Sequence, residues 1–339
     1  MKFKTILLAL TPLFLLTLYS LEAFAKNLPV FLVYHRFGET TYPSTNTTLE
    51  QLDAHIKELS SERYNVLPIS EIIAKMRSGV QLDDRTIGIS IDDGYSSIYR
   101  HAWPRLKAAG LPFTIFVSTA FIGKKNSTYL TWGQVREMEA SGVSIGHHTH
   151  RHIHMAASDN SVNEREISIA TKIFEKELKK PPVLFSYPFG EMSLAVKQVV
   201  KNAGFQAAFG QHSGVLNEAE GFFTLPRFAL NENFGTLERF KLVINSLSLN
   251  ISEITPTEHL VSGINPPLIG FTLNEKDPMH SGLQCFTSHD GRSKIEMLGA
   301  NRVEIRVQKK FPKGRTRLNC TSRHKNGRWR WFGRMFFLP

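Results

Sequence analysis

Cysteine is almost absent from this chain of 339 residues; the two present, Cys285 and Cys320, both stand near the C-terminus. That scarcity excludes a disulfide-dense scaffold, and their separation of 35 positions fits no zinc-ribbon spacing. Long apolar runs are also missing after the first 25 residues, so no later stretch reads as a membrane span. There is no glycine-rich phosphate loop after the first strand-like run, which counts against an open nucleotide-binding sheet. Internal repeats and low-complexity tracts are lacking too, which excludes solenoids and disordered tails. Acids are scarce at one end only. From Ser281 to Pro339 there are 14 Lys and Arg against 3 Asp and Glu, so the formal excess of +11 resides there and the remainder is neutral. Such a tail reads either as a solvated basic face or as a patch for an anionic envelope polymer or lipid surface.

The chain begins with Met1-Lys2-Phe3-Lys4, an apolar stretch from Ile6 to Leu18, and Ala23-Phe24-Ala25. This is the pattern of an export signal over residues 1–25, too short and too interrupted to span a bilayer. Export makes nucleic acid a poor partner for the basic tail. It also makes a structural disulfide between Cys285 and Cys320 the favoured reading of the cysteine pair.

Residues 26–250 alternate strand and helix signals. Apolar runs at Leu28–Arg36, Thr86–Ile91, Phe113–Ser118 and Val143–Ile145 alternate with amphipathic stretches such as Thr48–Leu59 and Glu164–Lys180, several ending at Gly or Pro. Polar groups collect where successive runs end, which predicts parallel strands closed into a distorted (β/α) barrel of about seven strands with its chemistry on the C-terminal rim. Prolines break residues 251–280, read as a linker. Residues 281–339 alternate polarity and read as a small β-rich module, closing on the interleaved Arg and aromatic residues of Arg328–Phe337.

Three blocks carry the chemistry. The first is Ser90-Ile91-Asp92-Asp93-Gly94-Tyr95, where a buried strand ends in adjacent carboxylates, costly to hold together unless a cation or base pairs them. The second is Gly146-His147-His148-Thr149-His150-Arg151-His152, in which His148 and His152 stand at i, i+4 and can reach one ion. The third is Ser186-Tyr187-Pro188-Phe189-Gly190.

Together the blocks resemble the polysaccharide deacetylases with a NodB-homology domain, carbohydrate esterase family four, over about Val30 to Arg227. The flanking Tyr34-His35, Thr131-Trp132 and Leu225-Pro226-Arg227 are similar to the branch acting on envelope and biofilm polysaccharides. The resemblance implies Asp92 as general base, Asp93, His148 and His152 as ligands of a divalent metal, and the backbone N–H of Phe189 as an oxyanion donor. Zinc is the first expectation; cobalt, nickel or iron suit the same donors. The implied reaction is removal of N-acetyl groups from an extracellular or envelope polysaccharide. O-acetyl esterase activity and an inactive glycan-binding homologue are the alternatives. The chain departs from the family at Ser186, where arginine is common, so Arg227 is the candidate for orienting Asp92. No Leu-x-His supplies the general acid, and His35, at the end of the first strand, is preferred over His212 and His259, which read as loop residues. Tyr187 and Trp132 are read as candidate walls of a sugar subsite.

Overall fold

The structure, a computed structural model, describes residues 27–123, 128–274 and 282–339; the export signal read at 1–25 lies outside them. In chain order the N-terminal part runs β1 (Val30–Tyr34), β2 (Arg36–Phe37), β3 (Asn46–Thr47), α1 (Leu49–Leu59), β4 (Asn65–Val66), α2 (Ile69–Arg77), β5 (Thr86–Asp93) and α3 (Trp103–Ala108). It continues through β6 (Thr114–Val117), α4 (Trp132–Ala140), β7 (Ser144–His147), α5 (Asn160–Leu178), β8 (Leu184–Ser186), α6 (Leu194–Asn202), β9 (Ala207–Phe209), β10 (Phe228–Ala229) and α7 (Leu237–Ile244).

The central strands are apolar runs buried along their whole length, as parallel strands with both faces covered must be. Their order is β10-β1-β5-β6-β7-β8-β9, with β4 beside the start of β5, and every pairing is parallel. Leu225 bridges β9 while Phe228 and Ala229 pair with β1, so this one segment joins the two ends of the sheet and curls it into a barrel. Helix starts follow local chemistry. Thr48 caps α1, its hydroxyl accepting from the Gln51 N–H at 3.2 Å while the Gln51 side chain accepts from the Thr48 N–H at 3.1 Å. Thr131 and Gln134 form the same box at α4.

The C-terminal part builds a second sheet from β11 (Leu247–Ser248), β12 (Ile251–Thr255), β13 (Ile269–Leu273), β14 (Gln284–Thr287), β15 (Gly291–Leu298), β16 (Arg302–Arg306), β17 (Gly314–Arg323) and β18 (Trp329–Leu338). Its order is β11-β18-β17-β14-β15-β16-β13-β12. The stretch read as a linker, 251–280, therefore contributes β12 and β13 as ordinary members of this sheet. Ile251, Ile269, Phe271 and Leu273 enter its core, which the prolines around them concealed. Cys285 and Cys320 face each other across β14 and β17 and are joined, S–S 2.02 Å.

The arginines of the last strand are not a free basic face. Arg330 and Arg334 are 6% and 2% exposed. Arg334 donates to Glu220 on the barrel side at 2.9 Å and to the Thr257 carbonyl at 2.9 Å. Trp331 lies edge-on to Phe228 of β10, ring centroids 5.1 Å apart, and donates its indole N–H to Asn319. Gly333 has no room for a side chain, because a Cβ there would collide with the Ser213 carbonyl. The basic and aromatic alternation of β18 thus serves the seam between the two sheets, with the charges answered by carboxylates and carbonyls across it. Trp331→Ala is expected to lower stability by about 2–3 kcal/mol, less than for a fully buried tryptophan, and to do so through one concerted thermal transition. Two separate transitions in calorimetry, with only the second shifted, would show that the sheets do not depend on this contact.

Candidate active site

Strand β5 carries its two carboxylates out of the core at the C-terminal rim. Asp93 adopts a left-handed backbone, φ 74°, an unusual conformation for a non-glycine residue. The turn sends the two side chains apart, Asp92 into the barrel and Asp93 toward the histidines of the next loops.

Asp92 and Arg227 are both 0% exposed. Arg227 comes from the segment that closes the barrel and meets Asp92 with two parallel bonds, Nη1 to Oδ1 at 2.8 Å and Nη2 to Oδ2 at 2.7 Å. Its remaining N–H groups reach the Ser90 hydroxyl (3.0 Å), the Ser186 hydroxyl (2.8 Å) and the Gly210 carbonyl (2.9 Å), so all five donors are used. Ser186 also donates to Asp92 Oδ2 at 3.1 Å. Burial alone pushes the Asp92 carboxyl up, but the charge of Arg227, aided by His148 and by the arginine's hydrogen bonds, brings it below the ordinary carboxylate value. Asp92 is thereby held ionised in a dry site.

Asp93, His148 and His152 each offer a ligand atom, and these atoms lie within 4.8 Å of one another. Asp93 Oδ1 stands 3.4 Å from His148 Nε2 and 3.3 Å from His152 Nε2. His148 Nδ1 is 2.7 Å from the Ser186 carbonyl, which can only accept, so Nδ1 carries the proton and Nε2 presents a lone pair. That Nε2 is buried and has no hydrogen-bond partner. Thr149, at φ 65°, accepts the His152 N–H at 3.0 Å and folds the loop so that both imidazoles face Asp93. Burial works to raise the Asp93 carboxyl, yet its contacts with His148 and His152 hold it well below the ordinary range. Two imidazoles and one carboxylate, with the buried Nε2 of His148 lacking a hydrogen-bond partner among the described residues, fit a divalent ion.

The other histidines of the block go elsewhere. His147 is core, stacked near Phe185 and Phe174, and burial lowers it to about 3. His150 is 2.9 Å from the Thr119 hydroxyl, and His154 is 2.7 Å from Glu191. His35 stands on the rim at the end of β1, 3.4 Å from the Gln211 side chain, and burial lowers it despite the nearby charges of Asp93 and Asp92. His212 and His259 lie in loops, but both are 1% exposed, and burial takes His212 to about 3. Phe189 also sits in the left-handed region, φ 58°, with its ring 4.4 Å from the His152 ring.

One of the expected subsite walls is not there. Tyr187 is 0% exposed and packs in the core against Phe185, with its hydroxyl donating to the Phe223 carbonyl. Trp132 packs edge-on against Phe174, 5.9 Å between centroids. Alternation in strand β8 turns Tyr187 to the side that α6 covers, which the motif alone does not reveal. The sequence reading also passed over Ser90, Glu191, Gln211 and Arg315, whose partners here are all distant in the chain.

With this geometry in view, comparison with known proteins is informative. Residues 79–208 match the family model described as polysaccharide deacetylase. Over that stretch the chain resembles the polysaccharide deacetylases, a family of hydrolases. YxkH of Bacillus subtilis, named for the same family, is 27% identical over 201 residues, covering 59% of this chain and 70% of its own. A poly-beta-1,6-N-acetyl-D-glucosamine N-deacetylase of Staphylococcus aureus is 26% identical over 196 residues, 54% of this chain and 67% of that one. Among solved structures, the Streptococcus pyogenes deacetylase PplD in complex with acetate superposes with a TM-score of 0.60 at 20% identity, covering 65% of this chain and 99% of that one. IcaB from Ammonifex degensii gives 0.58 at 20% identity, over 65% and 97% of the two chains. These likenesses show the barrel fold; the second sheet is additional to it.

Arg227→Met removes the largest of the charges that offset burial at Asp92, leaving His148, His35 and the Ser186 hydroxyl. In the wild type a carboxyl held low stabilises the fold above its unfolded value, near 4, and loses that contribution as pH falls through the folded value. In the variant burial meets weaker opposition and the carboxyl rises, so the deficit is about 3–5 kcal/mol at neutral pH and shrinks as the pH falls and Asp92 takes a proton. Thermal midpoints of both proteins from pH 3.5 to 8 check this; a deficit that stays constant over that range contradicts it.

Proposed function

We propose that this chain is an exported hydrolase that removes N-acetyl groups from N-acetylhexosamine residues of an envelope or extracellular polysaccharide, releasing acetate, with zinc as its metal. The observation that carries the reading is the division of labour between two adjacent carboxylates. Asp92 is locked ionised by Arg227, and Asp93 is turned away from it to share a ligand set with two imidazoles. The N-acetylglucosamine polymer on which the staphylococcal relative is named to act supports the substrate class. The disulfide and the signal pattern support export.

When bound by Asp93, His148 and His152, a divalent ion lowers the pKa of a water and polarises the acetyl carbonyl. An acetamide is a poor electrophile, so the protein must also move a proton and stabilise a developing oxyanion. Asp92 takes the proton of the attacking water, since its carboxylate is ionised and fixed in one orientation. The Phe189 N–H donates to the oxyanion, on a turn whose left-handed residue aims it away from the regular helix direction. His35, on the same rim and within the field of both carboxylates, passes to the departing amine the proton that Asp92 takes from the water. Ser186 links the two halves of the site, its hydroxyl on Asp92 and its carbonyl on His148.

Chelation of the full chain should abolish acetate release from N-acetylglucosamine oligomers, and zinc should restore it. Asp92→Asn should cut turnover by about 10²–10⁴-fold while zinc binding persists, whereas His148→Ala should lose both. Equal loss of zinc in the two variants would reverse the assignment of base and ligand. Faster acetate release from O-acetylated than from N-acetylated glycans would make the enzyme an esterase on the same fold.

A further inference from the structure

The second sheet reaches the catalytic rim through two neighbouring side chains. Arg315 of β17 and Phe337 of β18 are register partners. Arg315 Nη1 donates to the Phe189 carbonyl at 3.2 Å, and its guanidinium carbon lies 5.7 Å from the centre of the Phe189 ring. Its Nε is 3.8 Å from one oxygen of Glu191, a carboxylate only 1% exposed. The other oxygen is 2.7 Å from His154 Nδ1. His154 in turn stacks on Phe189 at 4.0 Å with 6° between planes, and Phe337 continues the stack at 6.2 Å and 11°. On its far side the turn is backed by the Gln211 backbone, which a Cβ on Gly190 would strike.

Phe189 therefore holds a left-handed backbone that disfavours a side-chain-bearing residue by about 1–2 kcal/mol, and its neighbours must hold it there. The contacts that do so come from both sheets. Arg315 is about one third exposed, so it is not needed to fill the seam. The geometry points to Arg315 of the C-terminal sheet as a positioning residue that fixes the Phe189 turn for catalysis, acting through Phe189 and not on the substrate. The inference rests on the deacetylase reading for its kinetic consequence, but its structural core is independent of that reading. It also gives the second sheet a role in the chemistry: its strands β17 and β18 form one wall of the active-site rim.

The test uses the full-length chain with Arg315→Ala, Arg315→Lys, Phe189→Gly and the Arg315→Ala/Phe189→Gly double variant. Amide exchange over residues 186–193 is the readout that needs no turnover, because the Gly190 and Glu191 amides bond back to Tyr187 and Pro188 in this turn. In Arg315→Ala, exchange should quicken there and stay unchanged in β5, β17 and β18, with zinc affinity by calorimetry unaltered. On soluble N-acetylglucosamine oligomers kcat should fall about tenfold with KM nearly constant, as expected from releasing one strained residue. Lysine, which can reach the carbonyl but cannot also span to Glu191, should restore part of the loss. With Phe189→Gly already in place, Arg315→Ala should add less than about twofold, since both act through one backbone. Unchanged exchange at 186–193, exchange that rises throughout both sheets, or fully additive effects in the cycle would each overturn the proposal. If the wild type releases no acetate from any glycan, the functional reading fails, and the exchange comparison still decides whether Arg315 holds the turn.

Discussion

The buried pair of Asp92 and Arg227 is the constraint on which the rest of this molecule depends. Two opposite charges with no exposure are expensive to desolvate, and such a pair is tolerable only when its remaining donors and acceptors are satisfied. Here all five guanidinium N–H groups find acceptors, and those acceptors are drawn from β5, the end of β8 and the residue after β9. One side chain thus ties three regions of the sheet at its C-terminal rim. Arg227 lies between Leu225, which bridges β9, and Phe228, which pairs with β1. Closing the barrel and neutralising the catalytic carboxylate are the same event.

Strain gathers beside this pair. Among the described residues seven non-glycine residues have positive φ, and four of them, Asp93, Thr149, His152 and Phe189, belong to or adjoin the candidate metal ligands. Each turns a side chain or an N–H in a direction that a regular strand or helix would not give. Such conformations persist only where the surroundings over-determine them. The hydrogen bond from the His152 N–H to Thr149, and the stack of His154 on Phe189, are the local means by which this is done.

What could be read from the sequence was what is local. The strands of the barrel are short apolar runs, and α1, α4, α6 and α7 start at a Thr or Ser whose hydroxyl caps the first turn, so their alternation is visible in the chain. The adjacent carboxylates and the i, i+4 histidines are visible for the same reason. The second sheet was less legible because its edge strand β12 buries only Ile251 fully and runs straight into Pro256, which looks like a linker until its partner β13 is known. Tyr187 was misread because nothing in a five-residue motif says which face of β8 is covered. Glu191 and Arg315 meet across more than a hundred residues of chain, and an exposed-looking arginine in a basic tail carries no local mark of its partner.

The excess charge of the C-terminal part shows why composition alone misleads about such a module. Summed over residues it suggests an open cationic surface, yet several of these charges are committed individually. Arg328 is bound to Asp84 and the Asn245 carbonyl, Arg334 to Glu220, Arg306 to Glu296, and Arg315 to the Phe189 turn. Three of these four arginines bind groups in the barrel part of the chain. The chain before residue 281 is formally neutral taken as a whole, but the barrel places carboxylates and carbonyls where the second sheet arrives. Arginine suits that task better than lysine, because its planar fork can serve two acceptors at once and tolerates burial against an aromatic ring. The charge asymmetry along the chain is therefore partly the imprint of an internal interface, and it passes through the same turn that carries Phe189.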